Sequence, residues 1–138
     1  MSRIAFAAAL SLGAAGAAFA EAHSAAPAVT ASDQDVSGGT VTAETVSAPA
    51  NGWLVVHRTG EDMKPGPVVG YAPLREGMNE DVVAILQEEV ASGDMLMLMI
   101  HGEDGGMSTG GFEYSLGAKE DGPISVDGEL VMTVVAAQ

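Results

Sequence analysis

The stretch Met95–His101, with the sequence MLMLMIH, is the most continuous apolar run after residue 20, and it follows the turn Ser92-Gly93-Asp94. An apolar run of this length bounded by turn residues predicts a β-strand. Side chains alternate between the two faces of a strand, so the three methionines share one face with His101. If the opposite Leu/Ile face packs on the core, the methionine face points outward or toward a partner. The alternative is that both faces are covered and the methionines fill gaps in a core.

Short runs rich in β-branched residues lie on both sides of this stretch, separated by Gly, Pro, Asn and Asp. With no convincing amphipathic helix, this spacing predicts an all-β, immunoglobulin-like Greek-key sandwich of about 7–9 short antiparallel strands. Asp81–Gln87 is compatible with either a strand or one short helical stretch. The other predicted strands are Val29–Ser32, Thr40–Ser47, Trp53–Arg58, Val68–Ala72, Met95–His101, Phe112–Tyr114, Ile124–Val126 and Leu130–Ala136.

Two connections carry strong local signals. Asn51-Gly52 is a sequence that suits the positive φ angles of a tight hairpin turn, so it predicts a hairpin between its flanking strands. The segment His101–Gly111 contains five glycines, and it is therefore predicted to be a mobile loop.

The first 20 residues have the three-part pattern of a secretory signal peptide. Arg3 provides a basic start, Ile4–Leu12 an apolar run, and Ala18-Phe19-Ala20 a small-x-small cleavage site. We therefore expect a signal peptide over residues 1–20, a flexible tether over 21–28 and one β-sandwich domain over 29–138. An uncleaved membrane anchor is the alternative, and cleavage two residues later is also open. The cleaved protein is expected to be periplasmic or secreted, without contact with the membrane.

The composition narrows the classes of partner. The chain has 19 acidic and five basic residues, a formal net charge of −14 at pH 7, and no cysteine. Such a charge repels phosphate backbones and anionic lipid, which argues against nucleic acid and membrane surfaces as partners. The lack of cysteine excludes disulfides, a thiol nucleophile and thiolate metal ligands. The acidic surface is expected to keep the protein solvated, and it also suits cations or a basic partner.

Six motifs follow one another along the chain: Asp33-Gln34-x-Val36, Ala48–His57 (APANGWLVVH), Pro65–Gly70 (PGPVVG), Leu96–His101 (LMLMIH), Phe112-Glu113-Tyr114 and Asp121–Gly128 (DGPISVDG). Together they resemble an uncharacterised family of acidic, secreted β-sandwich domains, common in surface proteins of halophilic microbes and present in bacterial envelopes. The resemblance covers about residues 29–135 and implies a β-sandwich and an exported location, but no activity. The Met95–Met99 run is richer in methionine than the family pattern, and the loop Gly105–Gly111 is longer.

Catalysis has little support in the sequence. It contains no Gly-x-Ser-x-Gly elbow, no His-Glu-x-x-His motif and no phosphate-binding loop. The adjacent acidic pairs, such as Glu88-Glu89, would point to opposite faces of a strand and could not act together. We therefore predict that the protein is not an enzyme, with no catalytic residues.

A metal-binding site has more support in the sequence than a catalytic site. His57 and His101 both end apolar strands, and the resemblance places them at equivalent strand ends. Two imidazoles with Met99 or Met107 nearby would suit copper, because thioethers favour Cu(I) and imidazole accepts either oxidation state. The alternative is that each histidine is hydrogen-bonded locally and the methionines fill the core.

Two other parts of the chain, the N-terminal tail and the acidic turns, give weaker indications of a metal site. Cleavage after Ala20 would make His23 the third residue, where the terminal amine, two amides and the imidazole could bind Cu(II) or Ni(II). Asp33-x-Asp35 and Asp127-Gly128-Glu129 place oxygen ligands in turns, but neither matches a twelve-residue calcium loop.

The leading functional hypothesis is an exported, non-enzymatic β-sandwich module that acts as an envelope interaction or accessory protein. Its partner would be an unknown envelope protein or a second copy of the chain. The alternative hypothesis is a small periplasmic copper-binding protein that uses His57, His101 and neighbouring methionines.

Overall fold

A computed structural model of the chain describes residues 25–138. The predicted signal peptide, residues 21–24 of the predicted tether and, among them, His23 lie outside these residues. Residues 25–138 contain no helix long and apolar enough to cross a membrane. They form nine strands: β1 (Ala28–Thr30), β2 (Thr40–Ala48), β3 (Gly52–Thr59), β4 (Val68–Leu74), β5 (Gly77–Leu86), β6 (Met95–Gly102), β7 (Ser125–Val126), β8 (Glu129–Leu130) and β9 (Met132–Ala136).

Seven of these strands form one antiparallel sheet in the order β1-β2-β5-β4-β3-β6-β9, and β7 pairs with β8 separately. β3, β4 and β5 follow one another as hairpins, and β2 lies beside β5, which is a Greek-key arrangement. The sheet nearly closes on itself, because the Gln34 N–H donates to the Ala136 carbonyl at 3.3 Å and the Gln138 N–H to the Gln34 carbonyl at 2.9 Å. The all-β, antiparallel prediction is therefore confirmed, and of the ambiguous segment Asp81–Gln87 all but Gln87 belongs to β5.

Two local predictions are wrong. β2 and β3 do not form a hairpin at Asn51-Gly52, because β2 pairs with β1 and β5 while β3 pairs with β4 and β6. The connection instead crosses between two parts of the curled sheet, and Gly52 is already the first residue of β3. Phe112–Tyr114 is not a strand, since it lies in the long connection between β6 and β7.

The main core lies inside the curled sheet, on the face of β6 that carries its Leu and Ile residues. Leu54 and Val56 of β3 and Leu98 of β6 belong to this cluster and are fully buried. The methionines of β6 point to the opposite, outer face. Met97 and Met99 are nevertheless fully buried too, so both faces of this strand are covered.

Candidate functional site

The outer face of β3 and β6 carries a second buried cluster, separate from the main core. The two strands pair along their whole length, and three consecutive pairs on this face are Trp53 with His101, Val55 with Met99, and His57 with Met97. All six side chains are buried, with both histidines at 0% exposure. Local sequence explains the placement, because alternation along two apolar strands directs every second residue to the outside of the sheet.

Aromatic side chains from the connection between β6 and β7 cover this cluster. The Tyr114 ring lies edge-on to both imidazoles, with centroids 4.5 Å from His101 and 5.9 Å from His57. The Phe112 ring packs against Trp53, with centroids 5.5 Å apart. The segment Phe112–Tyr114, which was predicted to be a strand, therefore contributes to a second layer over the sheet.

A buried carboxylate anchors this covering segment. Asp121 has 0% exposure, and its two carboxylate oxygens accept the N–H groups of Asp104 at 3.1 Å and Glu113 at 2.8 Å. Its own N–H donates to the Asp104 carbonyl at 2.9 Å. Hydrogen bonds from backbone N–H groups satisfy a carboxylate that burial would otherwise penalise. In the sequence, Asp121 stands out only as the first residue of the motif Asp121–Gly128, which did not indicate this role.

The two histidines meet end to end beneath this layer. His57 Nε2 lies 3.3 Å from His101 Nε2, and the ring centroids are 5.4 Å apart. The opposite nitrogen of each ring contacts a main-chain carbonyl: His57 Nδ1 lies 2.8 Å from the Gly66 oxygen and His101 Nδ1 lies 2.6 Å from the Asp121 oxygen. Two loops, one between β3 and β4 and the other between β6 and β7, therefore fix the orientation of the imidazoles.

These contacts determine the tautomer of both rings. A carbonyl oxygen can only accept a hydrogen bond, so each Nδ1 must carry the proton and donate it. A neutral imidazole has one N–H group, so each Nε2 atom is unprotonated. The lone pairs of the two Nε2 atoms therefore face each other. Two facing lone pairs make no hydrogen bond, and the contact is stabilised only when a cation lies between them.

A proton is a poor candidate for that cation at neutral pH. Burial lowers the pKa of His57, although its hydrogen bond to Gly66 opposes part of the shift. Burial also lowers the pKa of His101 to about 4, with the Asp121 hydrogen bond opposing and the neighbouring His57 adding to the decrease. Both imidazoles are therefore neutral near pH 7, when their Nε2 atoms are free to bind a metal ion.

The structure brings together three of the residues predicted to bind metal and separates a fourth. His57, His101 and Met99 share the buried outer face, whereas Met107 is 97% exposed. The turn acids are engaged elsewhere, since Asp33 accepts the Ala136 N–H and Asp35 the Ser37 N–H. Within residues 25–138, no three His, Asp or Glu side chains cluster closely enough to hold a metal ion.

These features define a class: an all-β domain with a buried histidine pair on the outer face of its sheet. The model of the family described as a domain of unknown function (DUF7282) matches residues 27–138, and the chain therefore belongs to that family. No match was found among curated proteins or among solved structures.

Proposed function

We propose that this domain is an exported, non-enzymatic binding module that holds one metal ion between His57 and His101. The observation that carries this proposal is the 3.3 Å approach of the two Nε2 atoms. Both atoms are the unprotonated nitrogens of their rings, so both are available as ligands. A bound cation would convert an unfavourable contact into two coordinate bonds.

The surroundings of the pair match those of histidine ligands in metalloproteins. A ligating histidine usually donates its second ring N–H to a carbonyl or carboxylate, which fixes the tautomer and orients the ring. Gly66 and Asp121 provide such carbonyl acceptors here. The burial of both imidazoles keeps water away from the position between them. The site is therefore organised before the metal arrives.

The other hypothesis, an envelope interaction or accessory module, has less support. Met97 and Met99 are fully buried within the chain itself, so the methionine face offers no surface to a partner. The exposed side chains of Tyr71, Val83 and Ile85 lie together on β4 and β5, where Tyr71 pairs with Ile85. A small apolar patch of this kind does not by itself identify a partner.

Metal binding is expected to raise the melting temperature of the purified protein after chelation of any bound metal. A ligand that binds only the native state stabilises it by about 2.7 kcal/mol at 100 times its dissociation constant. Thermal melts with Cu(I), Cu(II), Zn(II) and Co(II), one metal at a time, measure this shift. At least one of these metals should raise the midpoint by several degrees.

The increase should disappear in the double variant His57→Gln/His101→Gln, which keeps polar side chains at both positions. The variant Met107→Leu is the matched control, because this exposed side chain is remote from the pair, and it should retain the full increase. If the double variant kept the metal-dependent increase in melting temperature and His23→Ala lost it, the metal would bind at the N-terminal tail. That result would overturn the proposal. An unchanged melting temperature with all four metals would also overturn it.

A further inference from the structure

We propose, on the basis of the metal site above, that its ion is monovalent copper and that the thioether of Met99 is the third ligand.

The distance between the nitrogens indicates more than two ligands. Metal–nitrogen bonds are about 2.0–2.1 Å long, so a linear two-coordinate ion needs nitrogens about 4 Å apart. The two Nε2 atoms are 3.3 Å apart. At that separation the same bonds enclose an angle of about 105–110° at the ion. Such an angle leaves one side of the ion open to a third donor.

The register of β3 and β6 places one side chain with a donor atom beneath the contact between the two imidazoles. The pair Val55–Met99 lies between the pair that contains His101 and the pair that contains His57. The imidazoles meet by leaning along the strands toward each other, so their contact lies over this middle pair. Val55 has no donor atom, whereas Met99 has a thioether and is fully buried on this face. Met97 is one pair further along, directly opposite His57.

The ligand types select the oxidation state. Two imidazoles and one thioether suit Cu(I), whereas Cu(II) prefers a tetragonal set of nitrogen and oxygen ligands. Among residues 25–138 no cluster of carboxylates and imidazoles offers such a set. The Tyr114 ring covers the pair, but its hydroxyl oxygen is hydrogen-bonded elsewhere, because it accepts the Gly117 N–H at 3.4 Å. Zn(II) would similarly lack the four ligands of its usual tetrahedral sites.

Competition for Cu(I) against bicinchoninate under anaerobic conditions tests this assignment. Met99→Leu should weaken Cu(I) binding at least tenfold, while Met97→Leu, the matched control on the same face, should change it less than threefold. Leu and Met have similar volumes, so both variants are expected to fold, and their metal-free melts check this. The wild-type protein should bind Cu(I) more tightly than Zn(II) or Co(II).

A spectroscopic measurement detects the thioether ligand directly in the wild-type protein. Protein labelled with selenomethionine and loaded with Cu(I) should show copper–selenium scattering in X-ray absorption at the copper edge, and Met99→Leu should abolish it. Absence of this scattering in the labelled wild type, or its loss in Met97→Leu alone, would overturn the assignment of Met99. Histidine-dependent stabilisation by Zn(II) or Co(II) with weaker binding of Cu(I) would overturn the choice of copper while the proposed metal site remains valid. Failure of every metal to bind would overturn both proposals.

Discussion

Gly52→Ala is expected to lower the free energy of unfolding by about 3 kcal/mol, the upper end of the usual effect of overpacking. A Cβ atom at position 52 would lie 2.3 Å from the main-chain oxygen of His101 and 3.3 Å from its carbonyl carbon. Position 52 pairs directly with Gly102, so the obstacle is the backbone of a neighbouring strand. A backbone carbonyl cannot rotate away as a side chain can, and β3 and β6 must separate. Equilibrium unfolding in urea measures the change.

The matched control is Gly38→Ala. No described atom lies within 4 Å of a Cβ at position 38, so this substitution should change stability by less than about 0.5 kcal/mol. Because the displaced atom belongs to His101, Gly52→Ala should also reduce stabilisation by metal. Equal urea midpoints for the two variants would show that the strands tolerate the methyl group, and the close approach of β3 to β6 would then not restrict position 52.

The strands were predictable because their periodicity is local. The alternation of Met95–His101 assigned its two faces correctly before any partner strand was known, and each predicted boundary of β2, β3 and β6 differs from the observed one by at most one residue. Pairing depends on distant residues, so it was less predictable. Asn51-Gly52 has the chemistry of a hairpin turn, but the strands around it bury their apolar faces in different parts of the sheet.

The candidate site was predictable only in its side-chain ligands. His57 and His101 were identified as polar residues that end apolar strands, and the structure brings their nitrogens together. Their hydrogen-bond acceptors are main-chain carbonyls of Gly66 and Asp121, and a main-chain group has no residue-type signal in a sequence. Glycine content predicted a mobile loop over His101–Gly111. Nothing in that composition indicated that Phe112, Tyr114 and the buried Asp121 carboxylate beyond it form the cover of the site.

Acidification from pH 7 to pH 4 is expected to lower the free energy of unfolding of the metal-free protein by about 3 kcal/mol through His101 alone. Burial lowers the pKa of His101 from 6.5 in the unfolded chain to about 4 in the folded protein. Between these values the unfolded chain binds a proton that the folded protein does not, so stability decreases as the pH falls. The lowered pKa of His57 acts in the same direction. Urea unfolding at half-unit pH intervals, with a chelator present throughout, measures the slope.

Carboxylates also titrate toward pH 4, so the histidine contribution must be isolated by difference. The variant His57→Gln/His101→Gln keeps every carboxylate and lacks both imidazoles, and subtraction of its pH profile from that of the wild type leaves the histidine contribution. The difference should be largest near neutral pH and decrease steadily below pH 6.5. A difference that instead increases on acidification would mean that one proton is held tightly between the two Nε2 atoms. The folded protein would then stabilise the protonated pair, and a metal ion would have to displace that proton in order to bind.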